Sequence, residues 1–204
     1  TPQKKSEIHA RIVALAIITL VAMLPFVQKA VHNDDIVYLD FAKRFADVKD
    51  YYKTPYYWFG ILQDKVINGT HPALIPFFIY AACKVFSSET EILLHGVFLV
   101  FAVGGIVFTY LFCHRFSAHP FLISLCVLFS PPYFVQSMSL MTDIPLYCFL
   151  TGSLYCYVRA VDTGRKSHLW LAVILFALAI GSGYQAVIFY AAFFIYSWLR
   201  GPKK

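Results

Sequence analysis

Apolar residues along this chain fall into six long runs, and one long stretch of mixed character separates the first run from the others. The runs cover 12–27, 92–112, 120–134, 144–158, 169–181 and 184–199. A helix needs about 20 consecutive apolar residues to cross a bilayer, with a range of about 17–25. Helices also satisfy their own backbone polar groups where no water is available. The pattern therefore predicts an all-α integral membrane protein with about six transmembrane helices.

The separating stretch, 28–91, holds eight of the chain's eleven acidic residues and begins with a helical pattern. Val37, Phe41 and Phe45 recur at helical spacing on one face, whereas Asp40 and Lys43 fall on the other. This spacing predicts an amphipathic helix that lies on the membrane surface.

Later in this stretch, the apolar run 72–86 is short for a membrane crossing. A single crossing here would reverse the orientation of every later loop, so we predict an interfacial or re-entrant helix. The alternative is a paired crossing by 51–62, but the Pro at its centre is unfavourable in a helix core.

Basic residues decide the orientation, because cytoplasmic loops of membrane proteins carry an excess of Lys and Arg. The cations outside 28–91 lie before the first run, between later runs and at the end of the chain: Lys4, Lys5, Arg11, Arg115, Arg159, Arg165, Lys166, Arg200, Lys203 and Lys204. We therefore expect both termini to be cytoplasmic. The stretch 28–91 and the region around Asp143 are then expected to be external.

Composition agrees with a membrane protein and changes the interpretation of the net charge. Hydrophobic residues make up 59% of the chain, charged residues 14%, and the mean hydropathy is +0.65. Because the cations flank apolar runs, the net charge of +6 indicates topology and not nucleic-acid binding. The five cysteines lie in or beside apolar runs without a C-x-x-C pair, so neither disulfides nor a metal site is predicted.

Three acids are the main candidates for chemistry. Asp34 and Asp35 follow the first apolar run, and Asp143 lies between two later runs. An acid in an apolar membrane setting is costly and indicates a functional site. The alternative for all three is structural, because acids in a first helical turn favour the helix dipole, and Pro145 suits a helix start after Thr142.

Three polar residues are candidates for substrate contacts on the same side. His71 precedes Pro72 at the start of the second surface helix and is placed to hold a phosphate, with a structural role as the alternative. Tyr184 and Gln185 follow a Gly-Ser-Gly turn between two apolar runs. We expect Asp34, His71 and Asp143 to line one externally open cavity. Tyr184 and Gln185 either approach that cavity or form an ordinary interfacial turn.

Several short motifs, taken in order and spacing, resemble one family. They are Asn33-Asp34-Asp35-Ile36-Val37-Tyr38, Thr70-His71-Pro72-Ala73-Leu74, Ser130-Pro131-Pro132, Met141-Thr142-Asp143-Ile144-Pro145-Leu146 and the Gly-Ser-Gly-Tyr turn at 181–184. This series resembles the N-terminal module of GT-C glycosyltransferases, especially the protein O-mannosyltransferases and the aminoarabinose lipid A transferases. Val37 stands where the aminoarabinose branch carries Arg, so that donor is not assigned.

The resemblance implies a membrane enzyme that moves a sugar from a polyprenyl-phosphate carrier to a lipid, glycan or protein acceptor. It implies an active site on the outer or lumenal face of a bacterial inner membrane or an endoplasmic reticulum membrane. By the same resemblance Asp34 is the catalytic base, Asp35 the second acid of the pair and Asp143 the later acid. Tyr38 and His71 then contact the substrate.

Inverting glycosyl transfer needs a base for the acceptor proton and a stabilising group for the departing phosphate. A divalent metal shared by Asp34 and Asp143 is possible, and no other cofactor is assigned. Residues 1–204 form one module, which we interpret as the N-terminal part of a longer chain. The alternatives are a non-catalytic relative of this family and a transporter or assembly subunit, although no inverted repeat is evident.

Overall fold

The computed structural model describes residues 2–31, 33–46, 56–58, 61–63 and 72–200. Among these residues, three helical segments are long and apolar enough to cross a membrane: Ser6–Phe26, Glu91–Cys113 and Asp143–Thr163. The first contains most of helix α1 (Pro2–Met23) and a 3₁₀ turn at Leu24–Phe26. The second and third are the helices that we number α4 and α7. At 1.5 Å per residue each covers the roughly 30 Å hydrocarbon layer.

The other three predicted spans form shorter helices. The run 120–134 is divided into α5 (Pro120–Leu128) and α6 (Pro131–Gln136). The division follows from Pro131 and Pro132, because proline lacks a backbone donor and forces the preceding residue out of the helical region. Accordingly Ser130 is extended, with φ −68° and ψ 136°. The remaining helices are α8 (Lys166–Ser182), a 3₁₀ segment at Tyr184–Phe189 and α9 (Tyr190–Arg200).

Contacts divide the bundle into two ends. The acid end contains the starts of α4 and α7 and the ends of α1 and α8. There the backbone N–H of Val31 donates to the Glu91 carboxylate at 3.4 Å, and His95 Nδ1 lies 3.2 Å from the carbonyl oxygen of Val27. The basic end contains the start of α1, the turn after α4 and the α7–α8 loop.

At the basic end, one acid connects three helices. Asp162 near the end of α7 accepts a hydrogen bond from Arg115 Nε at 2.7 Å and another from the Tyr196 hydroxyl at 3.1 Å. Because α5 and α6 lead from one end to the other, the six apolar runs pass alternately between the two ends. This grouping agrees with the predicted one, while membrane crossing by the three shorter passes stays a prediction.

Small residues allow α4 and α7 to pack closely. A Cβ atom on Gly104 would lie 2.8 Å from Cys148 Sγ, and one on Gly105 would lie 2.6 Å from the Tyr133 hydroxyl. That hydroxyl donates a 2.6 Å hydrogen bond to the carbonyl oxygen of Ala102. Close approach through small residues is the usual basis of helix association in membranes. These contacts join α4 to Tyr133 of α6 and to Cys148 of α7, on either side of the loop that leads into Asp143.

Two further helices cover the acid end. The first, α2 (Asn33–Lys43), continues into a 3₁₀ turn at Arg44–Ala46 and buries Phe41 and Phe45. The second is α3 (Leu74–Phe86), which packs against α2. The predicted apolar face of the first surface helix is thus confirmed over its described length; residues 47–50 lie outside the described part.

Both ends of α3 lie at the acid end. Leu74 lies in its first turn. A Cβ atom added to Gly181, near the end of α8, would lie 3.3 Å from the Leu74 side chain. Lys84, in its last turn, lines one cavity together with Val31 and Glu91. Hence α3 lies across the bundle end, and its non-crossing placement in a membrane stays a prediction.

One element differs from the predicted all-α class. Strands β1 (Tyr56–Trp58) and β2 (Ile61–Gln63) pair antiparallel, with Tyr56 opposite Gln63. Aromatic and β-branched residues favour strands, and Tyr56-Tyr57-Trp58 was the available signal. The hairpin replaces the alternative of a crossing by 51–62.

Accessibility labelling tests the two ends in a membrane. With the native cysteines replaced, single cysteines at Glu89 and Ser167, both exposed, should react with an impermeant thiol reagent from opposite sides. The reason is that Glu89 lies at the acid end and Ser167 at the basic end. Labelling of both positions from one side would contradict the predicted topology.

Candidate active site

The two neighbouring acids of α2 have different environments. Both lie in the first turn, where carboxylates are stabilised by the helix dipole. Asp35 is fully buried, and its Oδ1 accepts a 2.8 Å hydrogen bond from the backbone N–H of Leu140. Asp34 is half-buried. Adjacent helix positions point about 100° apart, so one carboxylate anchors the helix while the other remains accessible.

The Asp35 contact joins two distant parts of the chain. Leu140 belongs to the loop 137–142 between α6 and α7, which is largely buried. Ser137 Oγ donates to the carbonyl oxygen of Tyr133 at 2.8 Å, and Ser139 Oγ donates to that of Gln136 at 3.0 Å. These serines satisfy carbonyl groups at the end of α6. The loop is therefore a well-bonded platform on which the start of α2 rests.

Asp143 is the first residue of α7, directly after this loop. Pro145 lies in the same first turn, as helix starts favour. The structural interpretation of Asp143 as a helix-start acid is thus confirmed, and it leaves room for a second role. Its half-buried side chain lines a cavity of about 420 Å³ together with Ser130, Gln136 and Tyr147.

Tyr38 lies in the electrostatic field of Asp34 and Asp35 of α2 and of Asp143 at the start of α7. It is 2% exposed. Burial is the main cause that raises the pKa of its hydroxyl to about 12; the nearby Thr142 side chain lowers this pKa, and the carboxylates of Asp143, Asp34 and Asp35 raise it. All three acids therefore lie within electrostatic reach of one phenol. That phenol stays protonated at neutral pH, so it can donate a hydrogen bond but cannot act as a base.

Fewer of the predicted site residues line this cavity than the sequence indicated. We expected Asp34, His71 and Asp143 to line one cavity. Asp143 lines the 420 Å³ cavity, but Asp34 is not among its lining residues. All three acids affect the pKa of the Tyr38 hydroxyl, but only Asp143 lines this cavity, and His71 lies outside the described residues.

Tyr184 and Gln185 lie at the acid end but on its surface. A Cβ atom on Gly183 would clash with Leu146 Cδ1, so the turn before Tyr184 packs directly on the first turn of α7. Tyr184 is 54% exposed and Gln185 is also exposed. Neither lines the cavity of Asp143. The chain does leave the helix here, but at Gly183, since Gly181 and Ser182 still belong to α8. Contact of Tyr184 and Gln185 with a substrate stays a prediction.

Sequence reasoning missed Thr142 and the Leu140 backbone N–H. Their only signal was the polar series Ser137-Met138-Ser139-Leu140-Met141-Thr142 after the proline break. In the part of the chain that the structure describes, no group of three or more His, Cys, Asp or Glu side chains has the arrangement of a metal site. A metal shared by Asp34 and Asp143 therefore stays a prediction.

A family comparison decides the broader identity. The model of the dolichyl-phosphate-mannose-protein mannosyltransferase family matches residues 70–203, which is more than half of the chain. The chain belongs to this family. The resemblance inferred from motifs is thereby confirmed, and membership identifies a membrane glycosyltransferase of the GT-C type.

The mannosyltransferase match includes Asp143, Tyr184 and Gln185 but begins after Asp34 and Asp35. The acids of α2 are thus linked to the matched part by the structure, through Leu140 and Tyr38. Comparison with curated proteins and comparison with solved structures gave no match.

Proposed function

We propose that this protein transfers a sugar, with mannose as the first candidate, from a polyprenyl-phosphate carrier to an acceptor hydroxyl at the outer or lumenal membrane surface. Asp34 is the general base in this proposal. The acceptor is a lipid, a glycan or a protein hydroxyl. The observation that carries the proposal is the 2.8 Å hydrogen bond from the Leu140 N–H to Asp35, which holds the start of α2 against the loop that leads into Asp143, in a chain of the mannosyltransferase family.

Accessibility favours Asp34 over its neighbour as the base. A base must come within hydrogen-bond reach of the acceptor hydroxyl. Asp35 is fully buried and already accepts the Leu140 N–H, whereas Asp34 is half-buried. We assign Asp34 to proton removal and Asp35 to positioning of α2.

The proposed reaction is a single displacement with inversion. The acceptor oxygen forms a bond to the anomeric carbon while the bond from that carbon to the phosphate oxygen breaks. Asp34 takes the acceptor proton, and the carrier phosphate leaves with the bonding electrons. The carboxylate removes the proton as positive charge develops on the acceptor oxygen, which is how a general base accelerates such a step.

Asp143 and Tyr38 are proposed to orient the reactants. The Asp143 carboxylate lines a cavity of about 420 Å³, a volume within the range of ligand sites, and accepts hydrogen bonds from sugar hydroxyls there. Tyr38, which is buried and keeps its proton, donates a hydrogen bond toward the acids and so orients them rather than contacting the substrate. We further propose that His71 holds the carrier phosphate and that Tyr184 and Gln185 contact the acceptor at the exposed rim.

The site's place at the bundle end suits a lipid-linked donor. The carrier tail must remain in the bilayer while its phosphate reaches water. The surface helices α2 and α3 lie across this end, so a phosphate at the interface reaches the acids without entering the helical core.

A transfer assay tests the proposal. The purified protein in vesicles is given a polyprenyl-phosphate mannose with a labelled sugar and a set of lipid, glycan and peptide acceptors. We expect label on one acceptor class and no transfer from a nucleotide-linked mannose, which lacks the lipid tail. Transfer from the nucleotide donor at an equal rate would contradict the assignment of the donor.

A further inference from the structure

A second cavity lies at the basic end, away from the proposed active site. It has a volume of about 560 Å³ and lies between α1 and the start of α5. Arg11 of α1 and His119, directly before α5, are its polar side chains, and both are exposed. No acidic residue lines it.

The charge of Arg11 is not neutralised within the described residues. No ion pair or hydrogen bond joins its guanidinium to another described side chain. Glu7, one turn earlier on α1, is exposed and does not line the cavity. The neighbouring cation Arg115 differs, since it is paired with Asp162. Arg11 therefore presents a positive charge that an anionic ligand would neutralise.

The rest of the lining is apolar and lies on the exposed side of the bundle. The small side chains of Ala14 and Ala118 create the space, and Phe121 and Leu122 form one wall of the cavity. Leu122 is 59% exposed. Only 17% of the membrane-spanning window of α1 is buried, so this helix lies at the outer surface of the bundle. A free phosphate ion would leave the apolar wall uncovered, whereas the glycerol and acyl parts of a lipid would cover it.

We propose that this cavity binds the headgroup of an anionic phospholipid. The phosphodiester lies between Arg11 and His119, and the first part of an acyl chain runs along Phe121 and Leu122. Basic pockets between membrane helices are known to bind such headgroups. The site is separate from the transfer site, and its occupancy does not depend on the proposed sugar transfer.

Native mass spectrometry of the purified protein tests this proposal. The protein is exchanged with phosphatidylglycerol and with phosphatidylcholine of the same acyl chains, and the retained lipid is measured. We expect the wild-type protein to retain phosphatidylglycerol preferentially. Arg11→Gln should lower this retention about fivefold, as expected for one basic side chain near an anionic headgroup.

Matched variants separate this site from general attraction to charge. Arg165→Gln removes an exposed cation from the same end, outside the cavity, and should leave retention unchanged. Ala118→Leu keeps every charge but fills the space, so it should lower retention. Wild-type retention in Arg11→Gln or in Ala118→Leu, or an equal loss in Arg165→Gln, would overturn the proposal. Displacement of the lipid by millimolar inorganic phosphate would overturn the choice of a lipid.

Discussion

Asp34→Asn should lower the rate of sugar transfer by about 100- to 10,000-fold, the contribution of a general base. The amide keeps the size of the side chain and its hydrogen-bonding oxygen but cannot take the acceptor proton. Folding should be largely unchanged, because the amide retains a hydrogen-bonding oxygen and the bond that joins α2 to Leu140 belongs to Asp35. The measurement is the initial rate with a polyprenyl-phosphate-linked sugar, together with the thermal unfolding midpoint.

Asp40→Asn is the control for this variant. Asp40 lies on the same helix, is exposed, and accepts a 3.1 Å hydrogen bond from Arg44 Nε. The Asn side chain keeps an oxygen that can accept the Arg44 hydrogen bond, and Asp40 is not among the acids near Tyr38, so the rate should stay near that of the wild type. Wild-type turnover in Asp34→Asn would reduce Asp34 to a helix-start residue, and an equal loss in Asp40→Asn would indicate a general effect of charge.

Asp35→Ala should destabilise the protein by about 1–3 kcal/mol, the usual cost of a buried donor without a partner. The variant removes the acceptor of the Leu140 N–H, which lies in a buried loop. Transfer activity should fall as well, because α2 is then no longer held at the start of α7. Thermal unfolding in detergent and the transfer rate are the measurements.

Asp35→Asn distinguishes the hydrogen bond from the charge. Asparagine retains a side-chain oxygen that can accept the Leu140 N–H, so this variant should recover most of the stability lost in Asp35→Ala. A loss in Asp35→Asn as large as in Asp35→Ala would show that the carboxylate charge, and not the contact with Leu140, holds α2.

Periodicity predicted those parts of the fold in which local sequence and burial agree. The face with Phe41 and Phe45 is buried, and the apolar runs at 92–112 and 144–158 are the long helices α4 and α7. Pro131 and Pro132 indicated the break between α5 and α6, because the constraint on proline is local. The length of the apolar run 120–134 alone predicted one continuous helix, because length contains no information on where a helix is interrupted.

The different roles of Asp34 and Asp35 could not be predicted from the sequence. Both occupy the same helical turn, and which of them points inward depends on a contact with Leu140, 105 positions away. Charge patterns placed Asp143 at the same membrane side but contained no distance between it and α2. The neighbourhood of Tyr38 and Thr142 supplies that link.

The cavity at the basic end also had no sequence signal. Arg11 was interpreted only as an orientation charge, and the space beside it arises from Ala14 and Ala118 on different segments. Packing of small residues against a neighbouring helix becomes visible only in three dimensions.

The central claim is that Asp34 and Asp143 act in one site, and a double-mutant cycle tests it most directly. The measurement is kcat/KM for the polyprenyl-phosphate-linked donor in Asp34→Asn, Asp143→Asn and the combined variant. Because residues of one site act as a unit, the combined loss should fall short of the product of the single losses by about fivefold or more. If the two losses multiply, as they do for independent positions, Asp34 and Asp143 do not share a site, and the account is contradicted.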